Sequence, residues 1–151
     1  MPKIDLDAVE LTNNTIYPPP FAATLAKRYV RRLGAVAGLS DFGVTQVVLQ
    51  PGGISSQRHW HEEEDEFVVI LEGEAVLIEE GGETVLRAGE CASFPKKVAN
   101  GHHFVNRSDR DCIFIAVGRA LGSECHYPDI DMRFDPASRS FTRKDGTPYG
   151  A

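Results

Sequence analysis

Between Val30 and Val117 the chain is cut into short apolar segments by glycine and proline turns, and this spacing limits the folds open to it. Val44–Gln50 alternates, is rich in β-branched residues and stops at Pro51-Gly52-Gly53. Glu66–Leu71 leads through Glu72-Gly73 into Glu74–Glu80, a hairpin pattern, and Gly81-Gly82 turns the chain into Glu83–Arg87. Cys91–Phe94 ends at Pro95, and His102–Asn106 and Cys112–Val117 complete the set, with Arg31–Ala37 expected as a strand before them. Strands at this spacing, without long amphipathic helices between them, predict an all-β sandwich or barrel and not a parallel α/β fold.

The flanking segments differ in character. Ala22–Tyr29 is compatible with a short helix, and Tyr17-Pro18-Pro19-Pro20 reads as an extended arm. Residues after Val117 are rich in Tyr, Pro, Asp and Arg, too aromatic for a disordered tail, and are expected to pack on the barrel or on a neighbouring subunit. The expected organisation is an arm over residues 1–29, a barrel over 30–118 and an extension over 119–151. With 151 residues, one domain of ordinary core size is implied.

Charge and cysteine content narrow the function. A net charge of −6 argues against a nucleic-acid backbone as partner. No apolar run approaches the roughly 18 residues of a membrane span, and Asp5, Asp7 and Glu10 interrupt any secretory h-region. Cys91, Cys112 and Cys125 form no CxxC and cannot all pair within one chain, which fits a reduced, cytoplasmic setting with Cys91 and Cys112 as small core residues.

The chemistry concentrates between Gly53 and Gly73. His59 and His61 are two apart, so on a strand both imidazoles project to one face, with carboxylates following up to Glu66. Two imidazoles and a carboxylate are a donor set for a divalent transition metal. Further histidines stand at His102, His103 and His126. His102, Phe104 and Asn106 share one strand face and His103 and Val105 the other, so one of the adjacent histidines can join, and alternation alone leaves open which.

These residues carry a family resemblance. The pattern G(X)5HXH(X)3,4E(X)6G is matched by Gly53, His59, His61, Glu66 and Gly73, and G(X)5PXG(X)2H(X)3N by Gly89, Pro95, His102 and Asn106. The stretch from Lys96 to Gly101 departs from the second pattern, being longer and without its loop glycine. The chain thus resembles a small single-domain cupin. The wording RHWHEEEDEF, GHHFVN, YPDID and KDGTPYG is similar to a group of bacterial cupins with no reaction assigned to them. The resemblance implies a double-stranded β-helix, commonly a homodimer, and one divalent metal per chain (Zn, Fe, Mn, Ni or Co) held by His59, His61, Glu66 and His102. It selects His102 over His103 and names no reaction.

Three neutral imidazoles and one carboxylate leave a bound dication at about +1, suited to an anionic or oxygen-rich small molecule. Open coordination positions would suit a sugar or sugar-phosphate isomerase or a dioxygenase, or a non-catalytic protein that holds its ligand on the same ion. Of the other residues, Glu62, Glu63, Glu64 and Asp65 read as a solvated acidic loop from which one carboxylate could serve as acid or base. Asn106 is expected to orient the His102 strand, Trp60 to pack on the opposite face, Tyr127 and Tyr149 to pack near the barrel mouth, and Lys96 and Lys97 to be solvated or to attract an anion.

Overall fold

The computed structural model describes residues 3–120 and 122–149. Its strands are β1 (Arg28–Arg31), β2 (Gly43–Leu49), β3 (Trp60–His61), β4 (Glu66–Glu72), β5 (Glu74–Glu79), β6 (Gly82–Arg87), β7 (Cys91–Phe94), β8 (His103–Val105), β9 (Cys112–Gly118), β10 (Cys125–His126), β11 (Arg133–Asp135) and β12 (Ser140–Thr142). One sheet runs β1-β2-β9-β4-β7. Opposite it lie β6-β5-β8 and β3-β10-β11-β12, joined through isolated bridges between Ile54 and Val105 and between His59 and His102. Every strand pair is antiparallel. The expected all-β barrel architecture is what the chain adopts. No helix among the described residues is long and apolar enough to cross a membrane.

Period-2 alternation assigns the core and then empties it toward one end. The inward face of β2 reads Thr45, Val47, Leu49; that of β4 reads Glu66, Val68, Ile70; that of β9 reads Ala116, Phe114, Cys112. Leu49, Ile70, Cys112 and Phe114 are buried to within 2% of complete and close one end of the barrel. At the other end Thr45, Glu66 and Ala116 line a cavity of about 270 Å³ between the sheets.

Two local expectations are corrected. Over Arg31–Ala37 the strand is β1, which has already ended at Arg31, and Leu33–Val36 forms one helical turn. Gly34 packs so closely on the backbone at Val44 that a Cβ would meet the Val44 nitrogen at 2.8 Å, and this contact turns the chain out of the sheet. The helix expected over Ala22–Tyr29 is a 3-10 turn at Ala22–Leu25, because Lys27 already gives its carbonyl to the Gln50 N–H and Arg28 pairs with Leu49.

The segments on either side of the barrel share a second core of Cys125, Tyr127 and Met132, with Tyr17, Phe21, Phe134 and Phe141 packed on it. Tyr17 meets Tyr127 and Phe141 edge to face at 6.0 and 5.2 Å. β10 pairs with β3, so the chain after Gly118 is bonded directly to the strand that bears His61.

Asn106 is fully buried where β8 leaves the barrel. Its Nδ2 donates to the carbonyls of Leu49 (2.8 Å) and Arg110 (2.7 Å), and its Oδ1 accepts from the Ser108 N–H (3.0 Å) and hydroxyl (2.7 Å). Asn106→Leu keeps the volume and strands those carbonyls. It is expected to destabilise the fold by about 2–4 kcal/mol, read by denaturant unfolding; an unchanged midpoint would contradict this account of the turn.

Candidate metal centre

His59 and His61 are placed by β-pairing on both sides. The His59 N–H donates to the His102 carbonyl (3.2 Å) and the His102 N–H to the His59 carbonyl (2.9 Å), while His61 lies opposite Cys125. Glu66 opens β4 on the inward face. The four side chains meet at the rim of the cavity. Nε2 of His59 is 3.1 Å from Nε2 of His61, and Oε2 of Glu66 is 3.4 Å from His61 Nε2, 3.9 Å from His59 Nε2 and 3.0 Å from His102 Nε2.

This donor set fits a divalent ion. Ligands about 2.0–2.2 Å from a metal stand roughly 3.0–3.4 Å from their neighbours in octahedral or tetrahedral geometry, and most of these separations lie in that range. His59, His61 and Glu66 form the tight group, their ligand atoms all within 4.8 Å of one another. His102 adjoins it through Glu66. Its neighbour His103 turns to the other face, where Nδ1 meets the Ser56 carbonyl at 2.9 Å.

The outer nitrogens show how each ring is held. His59 Nδ1 lies 3.0 Å from the Gln57 carbonyl, and donation there leaves the Nε2 lone pair facing inward. His61 Nδ1 faces Glu64 Oε2 at 3.3 Å and Cys125 Sγ at 3.1 Å, a carboxylate behind a ligand imidazole. His102 Nδ1 is buried with no partner among the described residues, and that ring is oriented by packing: Phe94 stacks on it at 3.5 Å, tilted by 4°.

Protons and the metal compete for one charge. Burial pulls the His59 pKa down to about 3, against the attraction of Glu66, so this ring is neutral. Burial also disfavours charge on His61, but hydrogen bonds to Cys125 and Glu66 outweigh it and push that pKa up to about 11. Burial would raise Glu66; hydrogen bonds from His102 and His61 overcome it and hold the carboxyl below the usual carboxylate range. The hydrogen bond between His61 and Glu66 thus favours the charged form of both partners.

The acidic loop is more ordered than its composition suggests. Glu64 is half-buried and lines the cavity, accepting from the Arg119 N–H at 2.9 Å; partial burial raises its pKa. A Cβ at Gly118 would collide with the Glu64 carboxylate, so the glycine makes room for it. Glu62 bonds His126 Nε2 at 2.8 Å, Glu63 pairs with Lys97 at 3.3 Å, and Asp65 accepts from the Lys96 N–H at 2.9 Å.

The remaining residues are placed as follows. Trp60 points away from the site and stacks on His126 at 4.2 Å. Tyr127 is buried beside His59, 5.8 Å between rings, whereas Tyr149 packs against Phe21 and donates to the Asp131 carbonyl. Cys91 is exposed, contrary to its expected core role, because its position on β7 faces outward; Cys112 and Cys125 are buried. Lys96 and Lys97 do not line the cavity. The cations that do are Arg28 and Arg32, which motif spacing does not reveal. The inward alternation Arg28, Val30, Arg32 on an edge strand is the signal that could have found them.

A twisted antiparallel barrel with a His-His-Glu group at its mouth is the cupin arrangement, and residues 45–118 match the cupin domain family. The chain belongs to the cupin superfamily. It superimposes with a TM-score of 0.92 on a protein of Silicibacter pomeroyi described as a sugar phosphate isomerase from a cupin superfamily, at 46% identity over 99% of this chain and 98% of that one. A candidate sugar phosphate isomerase from Acidithiobacillus ferrooxidans (22% identity, TM-score 0.71, 82% of this chain and 81% of that one) shares the fold. So does the polyketide cyclase RemF from Streptomyces resistomycificus (21%, 0.70, 86% and 87%). No curated protein matches the chain.

The purified protein is expected to carry close to one transition metal per chain by elemental analysis, and His61→Ala to lose most of it; equal metal content in the variant would remove the assignment. Because protons and metal compete for the same imidazole nitrogens, and the Glu66 contact favours the proton on His61, affinity should rise with pH. Metal added to stripped protein in weak buffer at pH 7 should release about one proton per ion. Metal retained unchanged at pH 4.5 would contradict histidine ligation.

Proposed function

We propose that this cupin is a metal-dependent isomerase of a small sugar or sugar phosphate, moving a proton between adjacent carbons of a substrate held in the barrel cavity. The observation that carries the reading is a second carboxylate, the half-buried Glu64, lining the same cavity as the donor group. The 46% identical Silicibacter pomeroyi protein described as a sugar phosphate isomerase supports it. His59, His61, Glu66 and His102 would hold the ion. When bound, the metal would polarise a substrate carbonyl and so acidify the neighbouring C–H.

The protein's own part is proton handling and enclosure. With the three histidines committed as ligands, the candidates for the carried proton at the cavity wall are Glu64 and Tyr17 among the described residues. Burial pushes the Tyr17 hydroxyl up to about 12, outside the useful range near neutrality. Burial raises Glu64 as well, but from the ordinary carboxylate range, so the shift runs toward the pH at which a carboxylate both accepts and returns a proton. Its Oε1 is fixed by the Arg119 N–H and its Oε2 by His61, so the group is held in place before substrate arrives. At about 270 Å³ the cavity suits a small metabolite, being close to the roughly 300 Å³ lower end of ligand pockets.

Isomerisation of this kind exchanges a carbon-bound hydrogen with solvent. Metal-loaded protein incubated in D2O with a panel of pentose and hexose phosphates should place deuterium beside the carbonyl of one of them, seen by proton NMR. Glu64→Gln should slow that exchange by about 100-fold or more while keeping its metal. Undiminished exchange in the variant would exclude Glu64 as the base. Binding without exchange would mark a non-catalytic ligand carrier, and oxygen consumption would mark an oxygenase.

A further inference from the structure

Two arginines at the cavity wall are left over from the site described above. Arg28 and Arg32 flank Val30 on the inward face of β1 and the residue that follows it, and all three line the cavity that holds His59, His61 and Glu66. Among the described residues no carboxylate pairs with either guanidinium. Arg28 Nε is buried without a partner, and the side chain makes one long hydrogen bond, 3.4 Å from Nη1 to the Ser55 carbonyl. Elsewhere the chain satisfies an arginine fully where its role is structural. Arg58 forks onto Asp129 at 2.8 and 2.7 Å and reaches Glu80 at 2.9 Å.

A half-buried guanidinium with an empty fork is costly to keep, since desolvated charge and unmade hydrogen bonds both count against the fold. The cost is recovered when an anion fills the fork. Four residues along a strand separate the two Cα atoms by about 13 Å, and long side chains on one face can lean toward a common point. The Arg28 head group already feels its neighbour: burial chiefly, and then the charge of Arg32, lower its pKa. A carboxylate needs one such fork, whereas a phosphomonoester, at about −1.5 to −2 near pH 7, matches two.

We infer that Arg28, assisted by Arg32, forms a phosphate-binding subsite that anchors the phosphoryl end of a small substrate whose oxygen-bearing end faces the His59, His61 and Glu66 group. This rests on reading the cavity as the substrate site, and it narrows the substrate to a phosphorylated one. Anchoring the far end would spend non-reacting binding energy on placing the reacting carbons beside Glu64.

The test uses inorganic phosphate in isothermal titration calorimetry, with the full chain both metal-loaded and chelator-stripped. Wild-type protein should bind phosphate in both forms. Arg28→Met should weaken it at least tenfold and Arg32→Met more mildly, with metal content unchanged. Because Arg28→Met removes an unpaired charge and keeps the stem, its unfolding midpoint should not fall, so weaker binding is not misfolding. Acetate should bind at least tenfold more weakly than phosphate. Phosphate binding that Arg28→Met leaves intact would overturn the subsite, as would binding that disappears on metal removal or acetate binding as tight as phosphate. The two readings fail separately: loss of the isomerase reading leaves Arg28-dependent phosphate binding in stripped protein, and loss of the subsite leaves metal content and Glu64-dependent exchange.

Discussion

The structure turns on the backbone pair between His59 and His102. Two hydrogen bonds there join segments more than forty residues apart in sequence, and they fix the facing of both imidazoles at once. Neither segment is a long strand. β3 has two residues and β8 three, and each is weak as an isolated element. They hold because they are bonded on both flanks: β3 by β10 on one side and the His59–His102 bridge on the other, β8 by β5 and the Ile54–Val105 bridge. A site built on short strands is rigid here because it sits in the middle of a sheet and not at its edge.

The same pairing explains why residues far from the barrel bear on the site. β10 comes from the segment after Gly118, and Cys125 and Ser123 from that segment approach His61 Nδ1 at 3.1 and 3.3 Å. Tyr127 covers the outer side of His59 and is itself packed by Tyr17 from the N-terminal arm. The arm and the extension therefore act as the back wall of the centre, closing it to water on the side away from the cavity. Their aromatic core replaces the solvation that the rings would otherwise keep, which is why burial lowers the His59 pKa and favours its neutral form.

What the sequence made legible follows from which signals are local. Turn spacing and alternation disclosed the barrel, and motif spacing singled out Glu66 among five consecutive acids, because β-periodicity ties residue number to face. Glu64 has the same parity as Glu66, yet its burial depends on Gly118 leaving room and on the Arg119 N–H, both on β9 or just past it. No local pattern contains that. The local pattern over Arg31–Ala37 fails for a similar reason: Gly34 packs directly on the Val44 backbone, a contact that only the assembled fold creates. Cys91 carried a compositional expectation of burial that the outward parity of its strand overrules.

The distribution of charge in the cavity is ordered and not merely mixed. Glu64 and Glu66 sit on the β4 side with the histidines, whereas Arg28 lies on β1, an edge strand of the same five-stranded sheet, and Arg32 just past it, with β2 and β9 between. Opposite charges separated in this way do not neutralise each other by contact, so each side keeps its demand for a counter-ion. A cation on the carboxylate side and an anion on the arginine side satisfy both, and a molecule that is phosphorylated at one end and oxygen-rich at the other bridges them. A barrel that needed only a structural ion would have no reason to leave the half-buried Arg28 guanidinium of its inner wall without a carboxylate partner among the described residues.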